Sequence, residues 1–235
     1  MTITMVGHST VLIETGGLRI LTDPYFGSWG NPAYARLRPP GMTREEVGPV
    51  DVVLVSHNHW DHTDRRYFGA LGREIPVLAP RRAAWVTRIK GARNVVGIKT
   101  WAAWAMGEVE VHAVPALHSA TSIGYVIRSE GRTIYFAGDT YFRPFMAEIR
   151  NRFRPDVALM PVTTYRLPMT MGEKSAVKAT LTLDVSAVIP IHLGIQPRSP
   201  LLRTRQSPEG FARRLEAVSP STQVVILGEG ESWDG

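Results

Sequence analysis

The sequence predicts an αββα sandwich, two β-sheets packed face to face with helices on their outer surfaces. Two observations point to it. Strand-like segments come first, and helix-like segments then alternate with strands through both halves of the chain. Strands are expected at 3–6, 11–14 and 18–22, with Gly16-Gly17 marking a hairpin turn between the last two. The segment 25–49 is rich in Gly, Pro, Arg and aromatic residues. Loops of this length in a compact domain usually serve function, so it is expected to overhang a site. The apolar run 51–56 reads as a strand, followed by helices at 63–71 and 80–89 flanking a strand at 75–78. Asp64 is placed to cap the first of these helices. Further strands are expected at 108–114, 123–128 and 133–137, the last two joined by Ser129-Glu130-Gly131. A helix at 144–153, a strand at 157–161 and a helix at 172–183 with Lys174 and Lys178 outward come next. The chain closes with a strand at 188–191, a helix at 208–217 with Pro in its first turn, and a strand at 224–227.

No linker, low-complexity tract or short repeat interrupts this order, and residues 1–235 are expected to form one domain. At 235 residues and 44% hydrophobic content the chain can bury a large core. It contains no cysteine. Disulfides and thiolate metal ligands are therefore excluded, and a reducing compartment fits. The net charge of +6 is spread through the chain, with local basic groups at Arg65-Arg66, Arg81-Arg82, Arg88-Lys90-Arg93 and Arg203-Arg205 that read as solvated helix faces or, functionally, as a field favouring anionic substrates. No nucleic-acid module and no stripe of alternating aromatic and basic residues is evident, so no nucleic-acid partner is expected. No apolar stretch approaches the length of a membrane span. Residues 1–6 lack a basic leader pattern and read as a first strand, so a cytoplasmic location is expected. The sequence leaves the oligomeric state open.

The densest chemistry is the run His57-Asn58-His59-Trp60-Asp61-His62, directly after a strand. Imidazole nitrogens and carboxylate oxygens are ligands for Zn²⁺ and other first-row divalent metals. His118, Asp139 and His192 each follow an apolar strand as well. Together these are more donors than one tetrahedral ion with an open position can use, so two divalent ions per chain are expected. Zinc is the first choice, with manganese or iron also compatible. His112 lies in mid-strand and reads as structural, and Trp101 and Trp104 read as packing residues.

This pattern resembles the metallo-β-lactamase superfamily, over nearly the whole chain from Gly7-His8-Ser9-Thr10 to His192-Leu193-Gly194. Within it the chain looks most like the branch of N-acylphosphatidylethanolamine-hydrolysing phospholipase D and its bacterial relatives. The matching pieces are Gly7-His8-Ser9-Thr10-Val11, Leu21-Thr22-Asp23-Pro24, Ser56 to His62, Phe136-Ala137-Gly138-Asp139-Thr140 and Ile191-His192-Leu193-Gly194. The resemblance implies that His57, His59 and His118 hold one metal, that Asp61, His62 and His192 hold the other, and that Asp139 bridges. Asp61 and His62 are then the catalytic pair. It further implies that Asp23 orients a ligand histidine through its other ring nitrogen, and that His8 supports the site or contacts substrate. Trp60 occupies a position where an aromatic is usual in that branch.

The implied activity is hydrolysis by a water activated between two metals. The expected substrate is a phosphodiester or related anionic, small-molecule or lipid-like ester. Lactone or carboxylic-ester hydrolysis is the alternative, and a metal-binding protein without catalysis the alternative of another class. One departure concerns specificity. Where the branch carries a Gly-containing turn, this chain has Val162-Thr163-Thr164-Tyr165-Arg166-Leu167. Tyr165 is expected to narrow the site and Arg166 to offer an anion contact. Tyr25, Phe26, Trp29 and Tyr34, with Arg36 and Arg38, are the expected substrate-facing residues of the long loop.

Overall fold

A computed structural model of the protein describes residues 1–27 and 31–235; Trp29 lies outside the described residues. In chain order the strands are β1 (Thr2–Gly7), β2 (Thr10–Thr15), β3 (Leu18–Thr22), β4 (Tyr34–Arg36), β5 (Val52–Leu54), β6 (Pro76–Pro80), β7 (Asn94–Ile98) and β8 (Ala103–Met106) in the first half. The second half holds β9 (Val109–Pro115), β10 (Ile123–Ser129), β11 (Arg132–Phe136), β12 (Val157–Pro161), β13 (Ala187–Ile191), β14 (Ile195–Pro197), β15 (Gln223–Val224) and β16 (Ser232–Asp234). The α-helices are α1 (Arg44–Val47), α2 (Arg65–Ala70), α3 (Ala84–Ile89), α4 (Phe145–Phe153), α5 (Glu173–Leu183) and α6 (Pro208–Glu216).

Two seven-stranded sheets form, in the orders β16-β1-β2-β3-β5-β6-β7 and β15-β13-β12-β11-β10-β9-β8. Each joins an antiparallel half to a parallel half: β1, β2 and β3 are antiparallel and β3, β5, β6 and β7 parallel. In the second sheet β8 to β11 are antiparallel, and β11, β12, β13 and β15 parallel.

Side-chain alternation explains the layers. Along β2, Val11 and Ile13 enter the core between the sheets while Leu12 packs outward. Along β10 and β11, Tyr125, Ile127, Ile134 and Phe136 face inward, and Val126 and Tyr135 face the helices. The outward residues are covered by Tyr67, Phe68 and Ala84 on one side, and by Met146, Ile149, Ala176, Ala179, Leu183, Phe211 and Leu215 on the other. Both sheets are thus apolar on both faces, as parallel strands with crossover helices require. The αββα sandwich expected from the sequence is the architecture observed.

Local differences have local causes. Asp64 does cap α2, accepting from the backbone N–H of Arg66 at 2.9 Å and of Tyr67 at 3.2 Å. The helix expected at 80–89 begins as a 3₁₀ turn, Arg81–Ala83, before α3. The 25–49 segment contains β4 and α1, and β4 pairs with β14 beside the sandwich. The last strand is cut to Gln223–Val224. Val225 N–H donates to Val188 O at 2.9 Å, so Val188 and, two residues on, Pro190 turn their backbone polar groups toward β15. Pro190 has no N–H to continue the ladder. Strands β7, β8, β14 and β16 were not expected. They are short or lie at sheet edges, where the hydrophobic pattern is weak.

The sheets are also joined by a polar link inside the core. The buried Tyr125 hydroxyl, on β10, lies 2.9 Å from Val55 O and 3.0 Å from Leu78 O across the sandwich. Tyr125→Phe keeps the ring and leaves Val55 O short of its donor. It is expected to lower the unfolding free energy by about 1–3 kcal/mol, measured as a shift of the urea midpoint at constant slope.

Candidate metal centre

Nearly every candidate ligand lies just beyond the carboxyl end of a strand, and all converge at one end of the sandwich. His8 follows β1, Asp23 follows β3, residues 56–62 follow β5, His118 follows β9, Asp139 follows β11 and His192 follows β13. The chain turns sharply at these exits: His8, Asp23 and His192 have φ of 60°, 33° and 65°. Gly138 takes φ 54°, and a Cβ there would collide with the Ser56 side chain. Only glycine lets Asp139 approach the motif of the other sheet so closely.

Two sets of donors result. Ligand atoms of His57, His59 and His118 lie within 4.8 Å of one another, and so do those of His8, Asp61, His62 and His192. Asp139 Oδ2 sits between them, 3.9 Å from His57 Nε2 and 3.6 Å from His118 Nε2 on one side. On the other it is 3.5 Å from His62 Nε2 and 3.2 Å from His192 Nε2. His59 Nδ1 and His118 Nε2 approach to 3.1 Å.

The outer nitrogens of the rings are committed to the protein, and this assigns the inner ones. His62 Nδ1 lies 2.7 Å from Asp23 Oδ2, which also accepts from Ser56 Oγ at 2.6 Å. Ser56 Oγ, its proton given to Asp23, accepts from His57 Nδ1 at 3.0 Å. His118 Nδ1 donates to Met169 O at 2.9 Å. The Nδ1 atoms of His57, His62 and His118 are thus turned outward to protein partners, and their Nε2 atoms face the centre. His57 Nε2, His62 Nε2 and Asp139 Oδ1 are buried without hydrogen-bond partners. Inward ring nitrogens and orphaned buried atoms are what a divalent cation satisfies, and the residues fit one.

Electrostatics agree. Burial, the neighbouring His62 and the nearby imidazoles hold the His57 imidazole well below its ordinary value, against the pull of Asp139, so it stays neutral. Burial likewise lowers His59 and His118, and takes His8 down to about 3. Burial also acts to lower His62, but Asp139, Asp23 and Asp61 together override it and raise it well above the ordinary range. Burial would raise Asp139; His192 and His62 reverse this and hold it well below the usual carboxylate range. Asp61 is lowered in the same way, chiefly by His62 and His8 against burial. Burial raises Asp23, opposed by His62 and Ser56. A centre of carboxylates and largely neutral imidazoles carries negative charge for a cation to neutralise.

The remaining candidates divide. Tyr25, Tyr34, Trp60 and Tyr165 form an aromatic wall, with ring centroids 5.6 Å apart for Tyr25–Trp60, 5.9 Å for Tyr34–Trp60 and 5.7 Å for Tyr34–Tyr165. Phe26 instead stacks on Tyr67 in the core. Arg36 lies over the Tyr25 ring and donates to Tyr25 O at 2.6 Å, and Arg38 pairs with Glu229 at 3.5 Å. Both are occupied within the protein. Arg166 is exposed, and its backbone N–H donates to Leu202 O at 2.9 Å. His112 packs on Phe153 and lies 3.2 Å from Glu110, apart from the cluster. Trp101 stacks on Phe153, as a packing residue should.

Sequence reasoning passed over Ser56 and Lys90. Ser56 adjoins the motif and was open to notice. Lys90 carried no signal: its Nζ donates to Asn58 O at 2.6 Å, to His59 O at 3.3 Å and to Thr63 Oγ1, clamping the metal loop. Also unforeseen is a cleft of about 880 Å³ beside His118, whose walls include Arg81, Arg82, Lys99, Thr121 and Ser122. Among the described residues no carboxylate lines it.

Asp23→Asn removes the anion that orients His62 and, through Ser56, His57. It is expected to weaken metal binding roughly 10–100-fold, measured by chelator competition, with the protein still folded by circular dichroism.

The domain model described as the beta-lactamase superfamily domain matches residues 18–193. A UPF0173 metal-dependent hydrolase of Caldivirga maquilingensis is 31% identical over 231 residues, 96% of this chain and 94% of that one. Another from Methanopyrus kandleri is 32% identical over 246 residues, covering both chains fully. Among solved structures, the metallo hydrolase Igni18 of Ignicoccus hospitalis superposes with a TM-score of 0.78 at 23% identity, covering 100% of this chain and 98% of that one. With the family match over most of its length and relatives above 30% identity end to end, the chain belongs to the beta-lactamase superfamily, among its UPF0173 metal-dependent hydrolases.

Proposed function

We propose that this metal-dependent hydrolase is dinuclear and acts on a phosphodiester or related anionic ester. The position of Asp139 Oδ2, 3.2–3.9 Å from four histidine nitrogens drawn from both donor sets, supports the dinuclear reading. In it, His57, His59 and His118 hold one ion, Asp61, His62 and His192 the other, and Asp139 both. Zinc suits the three-histidine set, and manganese or iron remain compatible with the mixed one. Two divalent ions held there supply an activated water near neutral pH and neutralise charge building on the substrate's oxygens.

The chain's own groups do the rest. Asp61 is buried, held below the usual carboxylate range against that burial, and placed to accept a hydrogen bond from the attacking water and so aim it. His62 is fixed by Asp23 and cannot rotate away. The cleft beside His118, with Arg81, Arg82 and Lys99 on its walls, favours a negatively charged group next to the metals. That cleft now carries the anion-contact role expected of Arg166.

Lactone or carboxylic-ester hydrolysis is the second reading, favoured by the aromatic wall of Tyr25, Tyr34, Trp60 and Tyr165, which suits an uncharged ring or acyl chain. A metal-binding protein without catalysis is the reading of another class, and turnover of any ester by the metal-loaded protein excludes it. No helix of the described residues is long and apolar enough to cross a membrane.

Elemental analysis of protein prepared without chelator is expected to approach two metals per chain, and a firm value of one overturns the dinuclear reading. Turnover of bis-p-nitrophenyl phosphate against a lactone panel separates the two substrate classes. Asp61→Asn is expected to lower kcat by roughly two to three orders of magnitude, as for loss of one transition-state contact, with little change in KM; His112→Asn is expected to leave both near wild type. Replacing Arg81 and Arg82 together by Ala is expected to raise KM for the anionic diester about three- to tenfold, on the order of two exposed charge contacts, and to spare a neutral lactone. Equal losses on both substrates would count against the basic cleft.

A further inference from the structure

His8 is the one histidine at the centre left without a defined task. Its side chain is buried, 2% exposed, and neither ring nitrogen has a hydrogen-bond partner. An imidazole in that condition opposes folding unless something else satisfies it. The backbone is held there at some cost as well, because φ is 60° at a non-glycine residue. Its surroundings enforce the position. His192 N–H donates to His8 O at 2.8 Å, fastening the exit of β1 to that of β13. Gly194 passes so close that a Cβ there would lie 3.1 Å from the His8 Cβ.

The ring is aimed at the centre. His8 Nε2 is 3.4 Å from Asp61 Oδ2, and the His8 ring lies 4.1 Å from the ring of His192 and 5.5 Å from that of His62. Its ligand atom falls in one set with those of Asp61, His62 and His192, all within 4.8 Å of one another. His8 also precedes the stretch matched by the domain model.

We propose that His8 is a protein ligand of the second metal ion, joining Asp61, His62, His192 and the shared Asp139. The inference rests on the dinuclear reading above and makes the two sites unlike. The first offers three nitrogens and the shared carboxylate, a set that suits four-coordinate Zn²⁺. The second offers three nitrogens and two carboxylates, which suits an ion of higher coordination number such as Mn²⁺ or Fe²⁺. The two sites then differ in donor number, and the one that includes His8 is the better suited of the two to Mn²⁺ or Fe²⁺.

Calorimetric titration of chelator-stripped, full-length protein with Mn²⁺ and with Zn²⁺ tests this against the rival role, a hydrogen-bond donor steadying Asp61. His8→Gln keeps an N–H donor of similar reach without the imidazole lone pair, and His8→Glu supplies a ligand oxygen without the donor. Wild type is expected to show two binding events. In His8→Gln the tighter of the two Mn²⁺ events is expected to weaken at least tenfold while the other is unchanged, and in His8→Glu to recover. The metal-free thermal midpoint of His8→Gln is expected to stay near that of wild type, because one buried polar side chain replaces another of similar reach. Two intact events in His8→Gln overturn the ligand role and leave the dinuclear reading standing. A lowered metal-free midpoint with both events weakened alike makes His8 structural and overturns it too. A single event in wild type overturns both.

Discussion

The open end of this sandwich depends on one buried carboxylate. Asp23 is fully enclosed and accepts from Ser56 N–H at 2.7 Å, from Ser56 Oγ at 2.6 Å and from His62 Nδ1 at 2.7 Å. Its own N–H donates to Leu54 O at 2.8 Å, and its carbonyl accepts from Thr10 Oγ1 at 2.8 Å. One residue therefore pins the start of β2 to the exits of β3 and β5 and orients His62 directly and His57 through Ser56. A charge in such a place is costly unless every lone pair is engaged. Here the groups that engage it are the ones that orient the metal ligands.

The donors at the centre present the converse case. They are packed in a way that a metal-free protein does not reward, with ring nitrogens facing one another and a carboxylate oxygen left bare. The rigid frame absorbs that misfit. Strands buried on both faces and a tyrosine bridging the two sheets hold the exits in place. Preorganisation of this kind places the reorganisation cost in folding rather than in binding or turnover.

Specificity is carried by different elements from those that hold metal. The aromatic wall comes from the segment after β3, from Trp60 within the motif and from Tyr165 after β12, while the basic cleft is built where β6 and β7 end beside the loop before β10. An apolar wall and a cationic cleft thus border one centre. This agrees with a frame that fixes chemistry and loops that choose substrate.

Much of this was legible in the residues themselves. Short continuous apolar runs mark the central strands because each is covered on both faces, and the His57–His62 run marks a candidate metal loop because its donors are neighbours in the chain. The sequence by itself determined the αββα order, the capping of α2 by Asp64 and the absence of thiolate ligands. Short edge strands such as β8 and β16 escaped, since their pairing depends on a neighbour rather than on their own pattern. Only the tertiary structure decided that His8 joins the donors, that Lys90 clamps their loop, that Arg36 and Arg38 are spent on Tyr25 and Glu229, and that Arg81, Arg82 and Lys99 gather beside His118. The physical reason is common to all four. Each is a contact between residues far apart in the chain, set by which strand ends the sandwich brings together, and no local pattern encodes that distance.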